Sequence, residues 1–344
     1  MNYAIPSHRQ EPIREVLEAV AEAKRILLTT HLNADGDGSG SEVAVAAWLR
    51  SLGKEAWIVN PTPYPDSFSF LLPDPRWSLD PRSRQARELA QGSDLAMILD
   101  TGEVPRIGTV SELLEGLPKV VIDHHPGGPD PIPGISFRDP DASATGELIF
   151  DLIRTSGSGW APGVALGLYV AILTDTGGFR FSNTTSRVHR VVAELLDLGV
   201  DPDAAYREVY GAYPVRKIRL LQASLPELEV DPEGGLAWMT VPTQAYNSLS
   251  ATADDIEGLV DYPRKIEGVE VGILFRETAK GGTKISFRSN GGVDVNVLAR
   301  QFGGGGHAKA AGAMVEEPME RVRGRVLEAT RVAIRTNAET KEGA

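Results

Sequence analysis

Residues 25–31 read RILLTTH, and residues 32–41 read LNADGDGSGS. The first is a short apolar run closing on an imidazole, the pattern of a buried strand. The second is a glycine-rich loop with two carboxylates, and an amphipathic helical stretch follows to about Leu52. Residues 94–101 (DLAMILDT) and 119–124 (KVVIDH) repeat the strand pattern, with helical patterns at 143–156 and 162–173. Strands alternating with helices predict a parallel sheet covered on both faces. Residues 186 to about 221 read as successive helices with no strand, a helical connector. Beyond Pro226 the pattern changes to strands at 235–241, 269–277 and 284–289, with helices at 294–302 and 320–335. The expected fold is therefore α/β: a parallel-sheet N-terminal domain (1–185), a helical connector (186–225) and a smaller α+β C-terminal domain (226–340). The polar end, NAETKEGA (337–344), is expected to fray.

In open parallel sheets, ligands bind beyond the carboxyl ends of the strands. His31 closes the first strand, and Asp35 and Asp37 follow it. Asp100 closes the second, and Asp123, His124 and His125 close the third. Asp175 ends the helical run LYVAILTD before Thr-Gly-Gly. Each piece has a plainer reading: Asp-Gly-Asp-Gly as a turn, Asp100 as a helix cap, the two histidines as a loop pair, Asp175 as a helix-end contact. Their ordered coincidence at strand ends favours one cluster. Carboxylates brought together repel and need cations.

The chain has no cysteine, so a metal must be held by oxygen and nitrogen. Carboxylate with imidazole suits Mn²⁺, or less specifically Mg²⁺, Co²⁺, Fe²⁺ or Zn²⁺. Two such ions about 3.5–4 Å apart can share a hydroxide that attacks phosphorus in line.

The 344 residues favour two domains, and 42% hydrophobic with 24% charged residues is ordinary globular usage. Residues 1–20 lack the apolar core of a signal peptide and read as an amphipathic helix, and no stretch is long and apolar enough to span a membrane. A cytoplasmic location is the resulting expectation. A net charge of −12 argues against long duplex nucleic acid as a partner, because tracking along phosphates takes a basic surface. A small phosphorylated ligand needs only a local excess of cations. Between Arg276 and Lys309 six basic residues face two acidic ones.

HLNADGDGSGS, ILDTG, VVIDHH and LTDTGGFRFSN, in that order, resemble the four motifs of the DHH phosphoesterase superfamily. FRSNGGVDVNVLARQFGGGGHAKAAG resembles its DHH-associated substrate domain, and together these span nearly the whole chain. Within the superfamily the chain is most similar to the oligoribonuclease (nanoRNase)/pAp phosphatase group. The resemblance implies two divalent ions, foremost Mn²⁺, with His31 and Asp35 on one, Asp37, His124 and Asp175 on the other, and Asp100 bridging. It implies that Asp123 orients an imidazole and that His125 stands beside the scissile phosphate. It assigns Arg288 and Ser289, the backbone of Gly304, Gly305 and Gly306, and His307 to a substrate clamp. The implied activity is hydrolysis of very short oligoribonucleotides to mononucleotides, and it admits dephosphorylation of pAp, a nucleoside bisphosphate. A cyclic di-AMP or linear dinucleotide phosphodiesterase and a non-catalytic nucleotide sensor are the alternatives. The common first motif has proline and alanine where this chain has Ala34 and Gly38, from which altered loop stiffness is expected.

Overall fold

The computed structural model describes residues 3–211, 213–231 and 235–342. The chain separates into two units, Met1–Ala212 and Tyr213–Ala344. This boundary falls inside the stretch read as a helical connector.

The first unit is built on a wholly parallel sheet. Its strands are β1 (Arg25–Thr29), β2 (Glu55–Val59), β3 (Ser78–Leu79), β4 (Leu95–Leu99), β5 (Lys119–Asp123) and β6 (Ile135–Arg138), in the order β3-β2-β1-β4-β5-β6. The chain leaves β1 towards β2 and β3 on one side, and resumes at β4 on the other. The sheet therefore reverses direction beside β1, and such a reversal opens a crevice at the carboxyl ends of the two strands.

Helices α1 (Gln10–Glu22), α2 (Gly36–Ser51), α3 (Arg84–Gln91), α4 (Val110–Leu113), α5 (Thr145–Ser156), α6 (Val164–Asp175), α7 (Ser186–Asp197) and α8 (Pro202–Tyr206) complete the unit. Ile26 and Leu28 of β1 enter a core with residues of α1, α2, α5, α6 and α7, whereas Leu27 enters a second core with residues of α3 and α4. Covering both faces explains why the strands read as unbroken apolar runs instead of alternating. The short strands β2, β3 and β6 were not anticipated.

The glycine-rich segment after β1 is mostly not a loop. Helix α2 begins at Gly36, and Asp35 caps it by accepting from the N–H groups of Asp37 (3.1 Å) and Gly38 (3.2 Å). The glycines serve close packing: a Cβ on Gly40 would lie 2.3 Å from the Gly167 carbonyl oxygen of α6. One on Gly38 would lie 2.6 Å from Thr30 Oγ1, so this position, inside the first turn of α2, governs a close contact with the residue after β1 and not loop stiffness.

The second unit has a mixed sheet of β7 (Leu228–Asp231), β8 (Leu236–Val241), β9 (Val271–Glu277), β10 (Thr283–Ser289), β11 (Gly305–Gly306) and β12 (Ala310–Val315), ordered β11-β12-β10-β9-β8-β7, with only β8 and β9 parallel. Its helices are α9 (Val215–Ser224), α10 (Thr243–Ser248), α11 (Ala253–Ile256), α12 (Asp261–Arg264), α13 (Val295–Arg300) and α14 (Met319–Glu342). Ile285 and Phe287 pack with residues of α13 and α14 on one face, and Met239, Val241 and Leu274 pack with Leu220 of α9 on the other. Helix α14 continues through Glu342. The fraying expected from Asn337 onward is therefore corrected up to that residue, and residues 343–344 lie outside the described ones. Asn337 is tied into the fold by donating to Glu270 at 3.3 Å.

Candidate metal centre

Three strand ends and two helices converge at the reversal point. His31 follows β1, Asp100 follows β4, Asp123 ends β5 with His124 next, Asp37 lies in the first turn of α2, and Asp175 ends α6. His31, Asp35 and Asp100 each offer a ligand atom within 4.8 Å of the others, and so do Asp37, His124 and Asp175. These are the two groups assigned from sequence to separate ions. Asp100 reaches both: its carboxylate oxygens lie 3.3 Å from His31 Nε2 and 3.5 Å from His124 Nε2. It also adopts a left-handed backbone at φ 60°, a conformation rare for a non-glycine residue and often held at functional sites.

Both imidazoles are aimed by their backbone partners. His31 Nδ1 is 3.0 Å from the Leu32 carbonyl, and His124 Nδ1 is 3.3 Å from the Ala142 carbonyl. Each Nδ1 donates to its carbonyl, which turns Nε2 towards the carboxylates, the orientation metal-bound histidines use. His124 Nε2 has Asp37 at 3.7 Å and Asp175 at 3.6 Å.

The electrostatics call for cations. Burial, then Asp100, Asp175 and Asp35, push the Asp37 carboxyl far above its ordinary range. Burial likewise raises Asp175 to about 7. Burial disfavours the charged form of His31, but hydrogen bonding to Asp100 and Asp35 outweighs it and lifts the imidazole to about 10. Crowding and burial thus drive two of the four carboxylates, Asp37 and Asp175, towards their protonated form, while Asp35 and Asp100 stay charged beside the imidazoles; a divalent ion would relieve that crowding, and the oxygen and imidazole donors fit such an ion.

Asp123 holds His125. Its Oδ1 accepts from the His125 backbone N–H at 3.0 Å and lies 2.8 Å from the ring Nδ1, and its Oδ2 lies 3.4 Å from Arg138 Nε. Asp123 therefore orients the His125 ring and fixes the proton on Nδ1.

Several residues of the centre were missed in the sequence. The Thr145 and Gly146 N–H groups at the start of α5 donate to the two Asp37 oxygens at 2.7 and 3.0 Å, and Thr145 Oγ1 donates to Asp100 at 3.0 Å. The Asp37 carboxylate thus caps a helix from another element, where the helix dipole favours negative charge. Behind this turn lies fully buried Arg9. Its Nε donates to Asp139 (2.6 Å), and its Nη1 donates to Glu147 (2.9 Å) and Asp151 (2.8 Å). Glu147 accepts from the N–H and hydroxyl of Ser143, and Asn183 donates to the carbonyls of Ser143 and Asp175. The ASATGE run before an apolar helix was the one local signal; Arg9 had none.

The assigned clamp residues gather in the second unit. Arg288 pairs in register with Ala310, and the Ser289 N–H donates to the Lys309 carbonyl at 3.0 Å. His307 and Ala310 exchange backbone hydrogen bonds of 2.7 and 3.2 Å, closing a turn between β11 and β12. A Cβ on Gly304 would lie 2.1 Å from the Gly312 carbonyl oxygen, and one on Gly306 would lie 2.6 Å from that of Ala310. Close approach to β12 therefore requires glycine at those two positions, while a Cβ on Gly305 would meet only an ordinary contact, Asn296 Oδ1 at 3.8 Å.

A parallel sheet with carboxylates and imidazoles at its reversal point, followed by a glycine-turned β unit, defines the DHH class of phosphoesterase. A model of the DHH family N-terminal domain matches residues 25–172, a DHHA1 domain model matches residues 241–335, and the chain belongs to the DHH family. It is 36% identical over 322 residues to the bifunctional oligoribonuclease and PAP phosphatase NrnA of Thermus thermophilus, covering 93% of this chain and 92% of that protein. It is 28% identical to the protein of the same name from Bacillus subtilis, covering 88% and 92%. The crystal structure of an exopolyphosphatase-related protein from Bacteroides fragilis superposes with a TM-score of 0.85 at 28% identity, covering 95% of this chain and 96% of that one.

Proposed function

We propose that this chain hydrolyses very short oligoribonucleotides to mononucleotides and converts pAp to AMP, using two divalent ions, foremost Mn²⁺. The observation that carries the reading is the pair of three-residue donor groups sharing access to Asp100. Full-length similarity to proteins named for both activities supports it. His31 and Asp35 would hold one ion, Asp37, His124 and Asp175 the other, and Asp100 would bridge. When bound, the ions supply Lewis-acid activation of water and offset charge on the phosphoryl oxygens.

The chain's own residues do the rest. The α5 N-terminus holds Asp37 in one orientation, and Thr145 does the same for Asp100. Asp123 would hold His125 so that its ring, when protonated on both nitrogens, can pass the Nε2 proton to the leaving oxygen and keep the Nδ1 proton on Asp123. Arg288 would take a substrate phosphate through its planar fork, beside Ser289, with the Gly304–Gly306 backbone and His307 completing the clamp.

Turnover of pApA, pAp and cyclic di-AMP by the Mn²⁺-supplied protein tests this. Release of AMP from pApA and pAp, faster than attack on cyclic di-AMP, is expected. Preference for the cyclic substrate would move the function to a cyclic dinucleotide phosphodiesterase, and binding without turnover would make the protein a sensor.

A further inference from the structure

Two cations of the second unit have no part in this reading. Arg276 on β9 and Lys284 on β10 are direct cross-strand partners, so their side chains share one face of the sheet. Alternation along β10 puts Ser286 and Arg288 on that face too, while Ile285 and Phe287 point into the opposite core. The β12 residues paired with Lys284, Ser286 and Arg288 are Met314, Gly312 and Ala310, so exposed Met314 stands beside Lys284 and the two small residues lie beside Ser286 and Arg288.

Arg276 rests against Tyr246, its guanidinium carbon 5.0 Å from the ring centre, and its Nε is buried with no hydrogen-bond partner among the described residues. Like charges set directly opposite each other destabilise a sheet. Burial, then Arg276, push the Lys284 amine below its ordinary range, and only Glu257 pulls it back. Asp261, the other carboxylate near this face, is engaged by Arg264 at 3.0 Å. Among the described residues the two cations thus outnumber the one carboxylate, Glu257, that acts on Lys284. Lys284 and Arg288 are four residues apart on one strand, roughly 13 Å at ~3.3 Å per residue, too far for one phosphate to serve both.

We propose that Arg276 and Lys284 form a second phosphate subsite, separate from that of Arg288, which takes another phosphate of the same short oligonucleotide. The subsite sets how many phosphates contribute to binding. It rests on the oligonucleotide reading above.

The test compares Lys284→Met and Arg276→Met with wild type, using the full-length, Mn²⁺-supplied protein. In either variant KM for pApApA should rise about tenfold with kcat within about twofold, as for an interaction made equally in ground and transition states. Inhibition by AMP, which has one phosphate, should be unchanged. The slope of log affinity against log salt should fall by about 0.7, the value for one phosphate contact on a single strand. Lys284→Arg should keep wild-type KM. A parallel rise in KM for pAp would place the 3′-phosphate of one nucleotide in the subsite, and an unchanged value would place the next nucleotide's phosphate there.

Equal weakening of pApApA and AMP, or no change in either, overturns the proposal. Calorimetric titration of the same ligands in chelator reads binding without turnover. A wild type that hydrolyses no oligonucleotide would then refute the functional reading, while the contrast between variants still decides the subsite.

Discussion

Replacing Arg9 with Met removes one buried cation from among three buried carboxylates. The guanidinium is fully buried and bonds Asp139, Glu147 and Asp151 at 2.6–2.9 Å. Met fills similar volume, so the loss is electrostatic and not a cavity. Breaking a buried pair by deleting one partner costs about 3–5 kcal/mol, because the other charge stays uncompensated. For a unit of this size that is a fall of roughly 6–20 °C in its melting transition, at about 2–4 °C per kcal/mol.

The pH dependence has a definite sign. Burial opposes ionisation of Asp139, but hydrogen bonds from His8 and Arg9 prevail and hold its pKa at about 2. Its contribution is present above the unfolded value of about 3.9 and is lost as pH falls through about 2. Without Arg9 the folded-state carboxylates titrate higher, so they take up protons as the solution is acidified. The deficit of Arg9→Met should thus be largest near neutrality and shrink on acidification. Thermal and urea unfolding at pH 7.5 and pH 5 measure both effects. A loss below about 1 kcal/mol, or a deficit that grows on acidification, would refute the argument.

Three further outcomes follow from the centre and from the charge of the chain. Asp100→Asn should be the most damaging single ligand change, since one carboxylate serves both donor groups; ranking all six ligand variants by kcat/KM checks it. His125→Ala should lower kcat by about 10²–10⁴ while metal content by elemental analysis stays near two ions; loss of an ion would mean that the two adjacent histidines are exchanged in role. At equal molarity a dinucleotide should be degraded faster than a 24-mer, because a chain of net charge −12 offers further phosphates repulsion; equal or faster loss of the 24-mer would refute this.

The centre was legible in the sequence because its donors sit at strand ends and in short motifs, where position along the chain implies position in space. His31, Asp100 and His124 needed only the rule that ligands gather at the carboxyl edge of a parallel sheet. Strands β3 and β6 escaped notice because they have only two and four residues, whereas the five-residue β2 (EAWIV) is as long as β1 and carried a comparable apolar signal. The 32–41 segment was read as loop because glycine weakens a helical pattern, whereas here Gly36, Gly38 and Gly40 let α2 approach Thr174, Thr30 and Gly167. Arg9 was invisible for another reason. Its partners lie 130, 138 and 142 residues away, and no local pattern marks a surface-type residue destined for complete burial.

The central claim is that this fold holds two divalent ions for hydrolysis of short phosphodiesters, and metal reconstitution tests it most directly. Protein stripped by chelator should leave pApA intact, and activity should return with Mn²⁺ until about two equivalents are bound, more fully than with Mg²⁺. Hydrolysis of pApA at the untreated rate in excess chelator, or full activity with Asp100→Asn, would contradict it.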